Sequence, residues 1–270
     1  MDHRNQTVLV TGAGSGIGDS FAREAARRGS DLVLVARRAE RLEALAAELT
    51  ATHGTTVEII PMDLGGPEAA AELVAEVDRR GIEVTALVNN AGFGDHGLVH
   101  EQDPARLQEM VQLNVGTLVG LSRAFLPRLR AGGCYLVNVA SLAAYQPIPE
   151  LAVYAATKAF VLSFTEALWH ETKGTDLRVL CLSPGLTGTE FLEVAGEVAA
   201  GGTSMMQTPE QVVDTAMRTL DGRSTPSVVS GALNRVTANL HRFFPRRLGI
   251  EVIARVTASR PPAVAATSSR

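Results

Sequence analysis

A chain of 270 residues is long enough for one large domain or two small ones. Its 46% hydrophobic and 20% charged residues are those of a globular protein that can bury a substantial core. The formal net charge of −4 excludes the basic excess of nucleic-acid binders, and the pairs Arg37-Arg38 and Arg246-Arg247 are short and local. The two cysteines, Cys134 and Cys181, fall in apolar runs and read as reduced packing thiols rather than a disulfide. The polar stretch from Met1 to Gln6 leads directly into the first strand and resembles no secretory leader. No apolar run approaches the roughly 20 residues needed to cross a bilayer, so the expected address is cytoplasmic.

Seven short apolar runs read as strands, at 7–10, 32–36, 57–61, 86–89, 134–139, 178–182 and 227–229. Most lack polar alternation, as strands covered on both faces do. Between them, helical spacing runs over 17–28, 39–52, 67–80, 104–131, 153–173 and 209–221. This alternation predicts an α/β chain: a single-domain, Rossmann-type, doubly wound parallel sheet of seven strands with helices on both faces. The domain is expected over 1–256, with a lid near 186–206, a partly basic helical extension over 231–256 and a disordered tail over 257–270. That extension, with Phe243-Phe244 beside Arg242, Arg246 and Arg247, has two uses open to it. It can cover the protein's own sheet or a partner subunit, or it can touch a membrane surface peripherally.

Between the first strand and the first helix stands Thr11-Gly12-Ala13-Gly14-Ser15-Gly16-Ile17-Gly18. Glycines here allow a tight turn, close approach of backbone to a pyrophosphate, and near packing of helix on strand. The helix N-terminus then offers free N–H groups and a positive dipole end to phosphates. At the end of the second strand, where an NAD site usually places a carboxylate, the chain has Ala36-Arg37-Arg38. Guanidinium groups there suit a 2′-phosphate, which favours NADP(H) and leaves NAD(H) open. The plainer alternative is that both arginines simply begin a solvated helix.

Tyr154 and Lys158 are four apart in a helical pattern, so their side chains emerge on one face. A free tyrosine, with a pKa of about 10, is a poor base at neutral pH. A neighbouring ammonium, together with the positive nicotinamide ring of an oxidised cofactor, is expected to favour the phenolate and lower that value. Asn114 falls inside a long helical pattern where its amide competes for backbone hydrogen bonds. Ser141 follows the fifth strand, either facing a substrate oxygen or serving as a helix cap or loop residue. His96, His100, His170 and His241 show no metal-ligand spacing, and no metal site is expected.

These motifs, with Asn89-Asn90-Ala91-Gly92, Tyr154-Ala155-Ala156-Thr157-Lys158 and Pro184-Gly185 in this order, resemble the short-chain dehydrogenase/reductase family over 7–189 and more loosely to 221. The Arg37 strand and Lys158-Ala159-Phe160 are similar to its ketoacyl-reductase and hydroxysteroid-dehydrogenase branch. The resemblance implies a catalytic set of Asn114, Ser141, Tyr154 and Lys158. It implies cofactor contacts at Gly12, Ser15, Gly16, Ile17, Gly18, Arg37, Arg38, Asp63, Leu64, Asn90, Ala91, Gly92, Tyr154, Lys158, Pro184, Gly185, Thr187 and Thr189. Asn114 would kink its helix and fix a water linking Lys158 to solvent, and Ser141 would hold the substrate oxygen beside Tyr154. Asp63 matches the acid that holds the adenine amino group, with helix capping as its alternative. Two departures soften the match: Ser15 replaces a second basic residue common in NADP-preferring relatives, and Thr187 stands where an aliphatic residue is common.

The expected activity is interconversion of a ketone and a secondary alcohol on an apolar small molecule by an NADP(H)-dependent enzyme, a homodimer or homotetramer by resemblance. A catalytically silent NADP(H)-binding regulatory or scaffold protein is the competing reading. A sugar epimerase would require a larger C-terminal substrate domain than this chain has after Asp221.

Overall fold

Runs of Val, Leu and Ile that can be covered on both faces become the strands of one parallel sheet. In the computed structural model, which describes residues 3–189, 206–222, 225–240 and 245–257, the strands are β1 (Thr7–Thr11), β2 (Asp31–Ala36), β3 (Val57–Pro61), β4 (Ala86–Asn89), β5 (Tyr135–Val139), β6 (Arg178–Ser183) and β7 (Ser227–Val229). All pair in parallel in the order β3-β2-β1-β4-β5-β6-β7. The sequence-based strands therefore hold to within a residue or two. Cys134 lies one residue ahead of β5 and Cys181 within β6; both are buried and free.

Alternate residues of each strand feed two separate cores, which is why polar alternation is missing. Val8, Val10, Leu32, Leu34, Ala86, Val88, Val137 and Leu180 pack on one side. They meet the buried faces of α1 (Gly16–Arg27), α2 (Ala39–His53) and the helix over Pro209–Gly222. Leu9, Val33, Val35, Leu87, Leu136 and Val179 point to the other side. There they meet α3 (Ala69–Arg79), α5 (Leu118–Gly132) and α6 (Ala152–Glu171). Each fully buried Leu or Phe in these layers contributes roughly 1.5–3 kcal/mol by leaving water.

Three helical expectations change. The third helix starts at Ala69, not at Pro67. The run over 104–131 is not one regular helix: α4 (Pro104–Val111) passes into a π-helical turn, Gln112–Thr117, before α5 begins. Asn114 sits inside that turn, as its competition for backbone partners anticipates. The 231–256 stretch forms two helices. Counting the Pro209–Gly222 helix as α7, these are α8 (Ala232–Leu240) and α9 (Arg246–Thr257). They expose Leu233, Val236, Leu248 and Val252, while α8 packs beside β7 and buries Asn234 and Ala238. Most of the expected lid, 190–205, and the tail from 258 lie outside the described residues, as do Phe243 and Phe244. No described helix is long and apolar enough to cross a membrane.

Strand β3 lies at one edge and β4 on the opposite side of β1, so the chain direction switches between β1 and β4. In such sheets ligands bind beyond the carboxyl ends of the strands at this switch. Beneath it runs a buried polar chain. Asn89 Nδ2 donates to Ser122 Oγ (3.0 Å) and to Asn138 Oδ1 (2.9 Å). Asn138 Nδ2 in turn donates to Thr165 Oγ1 (3.0 Å). Asn138 is wholly buried. Replacing it with leucine strands two partners inside the core, at a cost of about 2–4 kcal/mol. Chemical denaturation of Asn138→Leu is expected to show this as a lower midpoint at an unchanged slope.

Candidate active site

The glycine turn is shaped by what a side chain would strike. Gly12 and Gly16 sit at φ +67° and +58°, where L side chains are strained. A Cβ on Gly18 would collide with the Gly12 carbonyl oxygen, so α1 lies against its own preceding turn. Ser15 occupies the N-cap of α1 without a side-chain cap bond, leaving the first N–H groups of the helix to point outward. Ile17 packs against the first core layer from the same turn.

A hub that motif reading passed over holds this turn in place. Thr11 Oγ1 donates to the Val88 carbonyl (3.3 Å) and accepts the N–H groups of Asn90 and Ala91 (3.0 Å each). Asn90 Nδ2 answers by donating to the carbonyls of Thr11 (3.0 Å) and Gly12 (3.2 Å). The ends of β1 and β4 are thus tied at the switch point. Arg41, also unmarked in the sequence, reaches from α2 to the Gly14 carbonyl (3.4 Å).

Arg37 and Arg38 are exposed at the end of β2. Arg37 enters no ion pair among the described residues. Asp63 turns its Oδ1 to the Gly65 N–H (3.0 Å) within a loop and caps no helix, since α3 begins at Ala69 with Glu68 as its N-cap. The Leu64 carbonyl receives the Thr117 hydroxyl (2.8 Å), which ties the third crossover to the π turn.

The catalytic candidates converge at the carboxyl ends of β4, β5 and β6. Tyr154 lies in the first turn of α6 and Lys158 one turn later, both buried. Lys158 Nζ donates to the Val139 carbonyl at the end of β5 (2.9 Å) and lies 5.9 Å from the centroid of the Tyr154 ring. Ser141 caps the short turn Leu142–Tyr145 by accepting the Ala143 N–H (3.1 Å) and also hydrogen-bonds the Tyr154 hydroxyl. Of the two readings of Ser141, the structure shows the cap. Asn114 clamps Phe93 at two points, accepting its N–H (3.1 Å) and donating to its carbonyl (2.9 Å), and also donates to Thr157 Oγ1 (3.1 Å). Thr157 passes this on to the Tyr154 carbonyl (2.7 Å). A Cβ on Gly92 would lie 2.7 Å from Asn114 Oδ1 and 3.4 Å from Lys158 Nζ. The bare glycine keeps the space between those two polar groups open.

Burial dominates the acidity of both groups. The Tyr154 phenol of the chain alone is pushed up to about 12, whereas the lowering expected here was to come from the ammonium together with a positive nicotinamide ring. Burial disfavours the phenolate, and the Ser141 hydrogen bond offsets only part of that. The Lys158 ammonium, buried as well, falls to about 8 and directs its proton at Val139 rather than at the ring.

Beyond β6, the Pro184 carbonyl accepts the Leu142 N–H (2.7 Å), and Gly185 leaves room for Asn234 of α8. Thr187 donates to the Gly185 carbonyl (3.0 Å), and Thr189 Oγ1 stands 3.5 Å from the Thr187 carbonyl. A Cβ on Gly16 would come within 2.8 Å of Thr189 Cγ2, which places Thr189 directly over the start of α1. Gln207 pins this loop, through backbone bonds with Leu186 (2.9 Å) and Gly188 (3.0 Å) and by accepting the Ser230 hydroxyl at its Oε1 (2.7 Å).

Comparison with known proteins agrees with this geometry. The family described as short chain dehydrogenase matches residues 6–198. Sulfoacetaldehyde reductase 2 of Chromohalobacter salexigens is 36% identical over 215 residues, covering 77% of this chain and 84% of its own. Human 17-beta-hydroxysteroid dehydrogenase type 3 is 32% identical over 187 residues, covering 68% and 60% respectively. A short-chain dehydrogenase from Sphingobium yanoikuyae in complex with NADPH superposes with a TM-score of 0.76 at 33% identity, over 89% of this chain and 97% of that one. A 7beta-hydroxysteroid dehydrogenase superposes with a TM-score of 0.84 at 26% identity, over 93% and 98%.

Proposed function

The chain belongs to the short chain dehydrogenase family, and on that premise we propose that it interconverts a ketone and a secondary alcohol on an apolar small molecule with NADP(H). The observation that carries this reading is the convergence of Tyr154, Ser141, Lys158 and Asn114 beside the switch-point crevice. A catalytically silent binding protein has no need of that arrangement.

The glycine turn fits a dinucleotide: its positive-φ glycines and the uncapped start of α1 leave backbone N–H groups facing the crevice. Gly12, Ser15, Gly16, Ile17 and Gly18 would hold the pyrophosphate. Asn90, Ala91 and Gly92 would flank the ribose with Lys158, and Pro184, Gly185, Thr187 and Thr189 would border the nicotinamide. Leu64 and Asp63 would border the adenine, although the Asp63 carboxylate is already engaged with Gly65. Arg37, with Arg38 beside it, would take a 2′-phosphate, so NADP(H) is preferred and NAD(H) remains usable. The bound nicotinamide supplies hydride in reduction and receives it in oxidation.

Ser141 would orient the substrate oxygen toward Tyr154, whose hydroxyl gives its proton to that oxygen in reduction. A phenol held neutral up to about 12 suits the donor role at neutral pH, since it stays protonated until the carbonyl oxygen becomes basic. The Lys158 ammonium, a turn away, would stabilise the phenolate left behind and donate hydrogen bonds through the open space at Gly92. Asn114 would hold that path in place as a positioning residue, in line with the water relay expected for it. Phe93, Ile148, Leu151 and Val153 pack around Tyr154 and suit an apolar substrate.

A homo-oligomer is also proposed. The outer faces of α5 and α6 enclose a cleft of about 700 Å³ lined by Val119, Leu126, Phe164 and Leu168, and Phe160 is exposed on the same helix. A second copy would cover this apolar surface.

Three measurements test these statements. Tyr154→Phe is expected to lower kcat by at least about 10³-fold with NADPH affinity within about threefold, because the proton donor goes and the ring stays. Turnover near that of the unaltered enzyme would remove Tyr154 from the mechanism. Arg37→Ala should weaken NADPH binding by about 10- to 100-fold and leave NADH binding nearly unchanged, as read by fluorescence titration. Light scattering should give the mass of a dimer or tetramer for the intact chain and a smaller mass for Phe160→Arg; a monomer at micromolar concentration contradicts the assembly.

A further inference from the structure

Glu150 holds a backbone conformation that disfavours its own side chain. Its φ is +65°, and among the described non-glycine residues only Asn5 shares the positive region. Asparagine tolerates that conformation through its short polar side chain, whereas glutamate does not. Strain of this kind persists where the surroundings enforce it, and it concentrates near working sites. Glu150 lies four residues ahead of Tyr154, just before α6 begins.

What enforces it is a double grip on the loop over 93–98. The Glu150 carbonyl accepts the Gly97 N–H at 2.8 Å. Its Oε2 lies 3.0 Å from the buried His96 Nε2, close to it but outside hydrogen-bond geometry. The opposite end of the same loop is clamped by Asn114 through both backbone groups of Phe93. Phe93 from the loop and Ile148 and Leu151 from the turn bearing Glu150 pack together around Tyr154. The two walls of this apolar cluster are therefore joined at one rim by Asn114 and at the other by Glu150 and His96.

We infer that Glu150 and His96 form a latch that fixes the substrate-facing wall beside Tyr154, making both of them positioning residues that set substrate affinity. The inference rests on the ketone–alcohol activity proposed above. Tyr154, Ser141 and Lys158 have anchors of their own that do not pass through the latch. Opening it should therefore loosen substrate binding and spare the proton transfer. The αL backbone at position 150 could be had without strain from glycine; a glutamate there trades stability for a carboxylate within reach of His96.

The test uses Glu150→Gly, Glu150→Gln and His96→Asn in the intact enzyme, with the ketone that supports turnover. All three are expected to raise KM for the ketone about tenfold, with kcat and NADPH affinity within about twofold. Glu150→Gly alone should also raise Tm, by about 2–4 °C, because it removes the strain with the carboxylate. This opposite movement of stability and KM is what a merely structural residue would not produce. Unchanged KM in Glu150→Gln and His96→Asn overturns the latch. If no ketone or alcohol is turned over, the proposed activity fails separately. Hydrogen exchange at the Gly97 amide then decides the latch: faster exchange in His96→Asn supports it, and unaltered exchange overturns it.

Discussion

A lysine ammonium buried among strand ends is the constraint around which the rest of the site is arranged. Lys158 is almost wholly removed from water, and an unpaired charge in that position is expensive. The Val139 carbonyl offers one acceptor, which fixes α6 against the end of β5 and so fixes the azimuth of Tyr154 one turn earlier. The same burial weakens the ammonium, drawing Lys158 down to about 8, and stiffens the phenol against ionisation. The pair is therefore poised with both protons in place at neutral pH. In the reaction proposed above, that state would be ready to give a proton, and removing one from an alcohol would need help from charge arriving in the crevice.

Around that ammonium, hydroxyls and amides act as joints between elements that are distant in sequence. Thr11 ties β1 to β4, Asn114 ties the π turn to the loop after β4 and to α6, and Asn138 ties β5 to β4 and α6. Each joint spans elements whose own hydrogen bonds are satisfied within helix or sheet, so these side chains supply lateral registration that ladders alone do not. The π turn at Gln112–Thr117 is a local consequence. The extra residue in the turn brings the Asn114 amide to the Phe93 backbone.

How much of this was legible in the sequence depends on the range of the interaction. The strands were readable because two-sided burial makes their composition uniformly apolar, as in Leu32 to Val35. The glycine turn and the Tyr154–Lys158 spacing were readable because both are set by neighbours within a few residues. The irregular backbone at Asn114 was also foreseeable, since a competing amide in a helix is a local signal. Thr11 stood in the glycine motif with no role assigned to it and Gln207 gave no signal, because their partners lie far along the chain. Asn138 could have been marked: an amide inside Leu136-Val137-Asn138-Val139 is a buried polar group that must find a partner. The upward push of burial on Tyr154 was not legible for a related reason. Spacing shows that an ammonium is near, but desolvation depends on everything packed around the phenol, which only the folded chain reveals.

Gln207 and the backbone of Leu186 and Gly188 bring together the two points where residues 190–205 leave and rejoin the body. With those two ends fixed beside each other, a flexible insert between them would enter folding free energy only logarithmically with its length, so several residues would cost less than about 1 kcal/mol. A cassette grafted between 189 and 206 would inherit a prebuilt socket beyond the carboxyl end of β6. Tyr154, the glycine turn and the sheet have anchors of their own and would stay as they are.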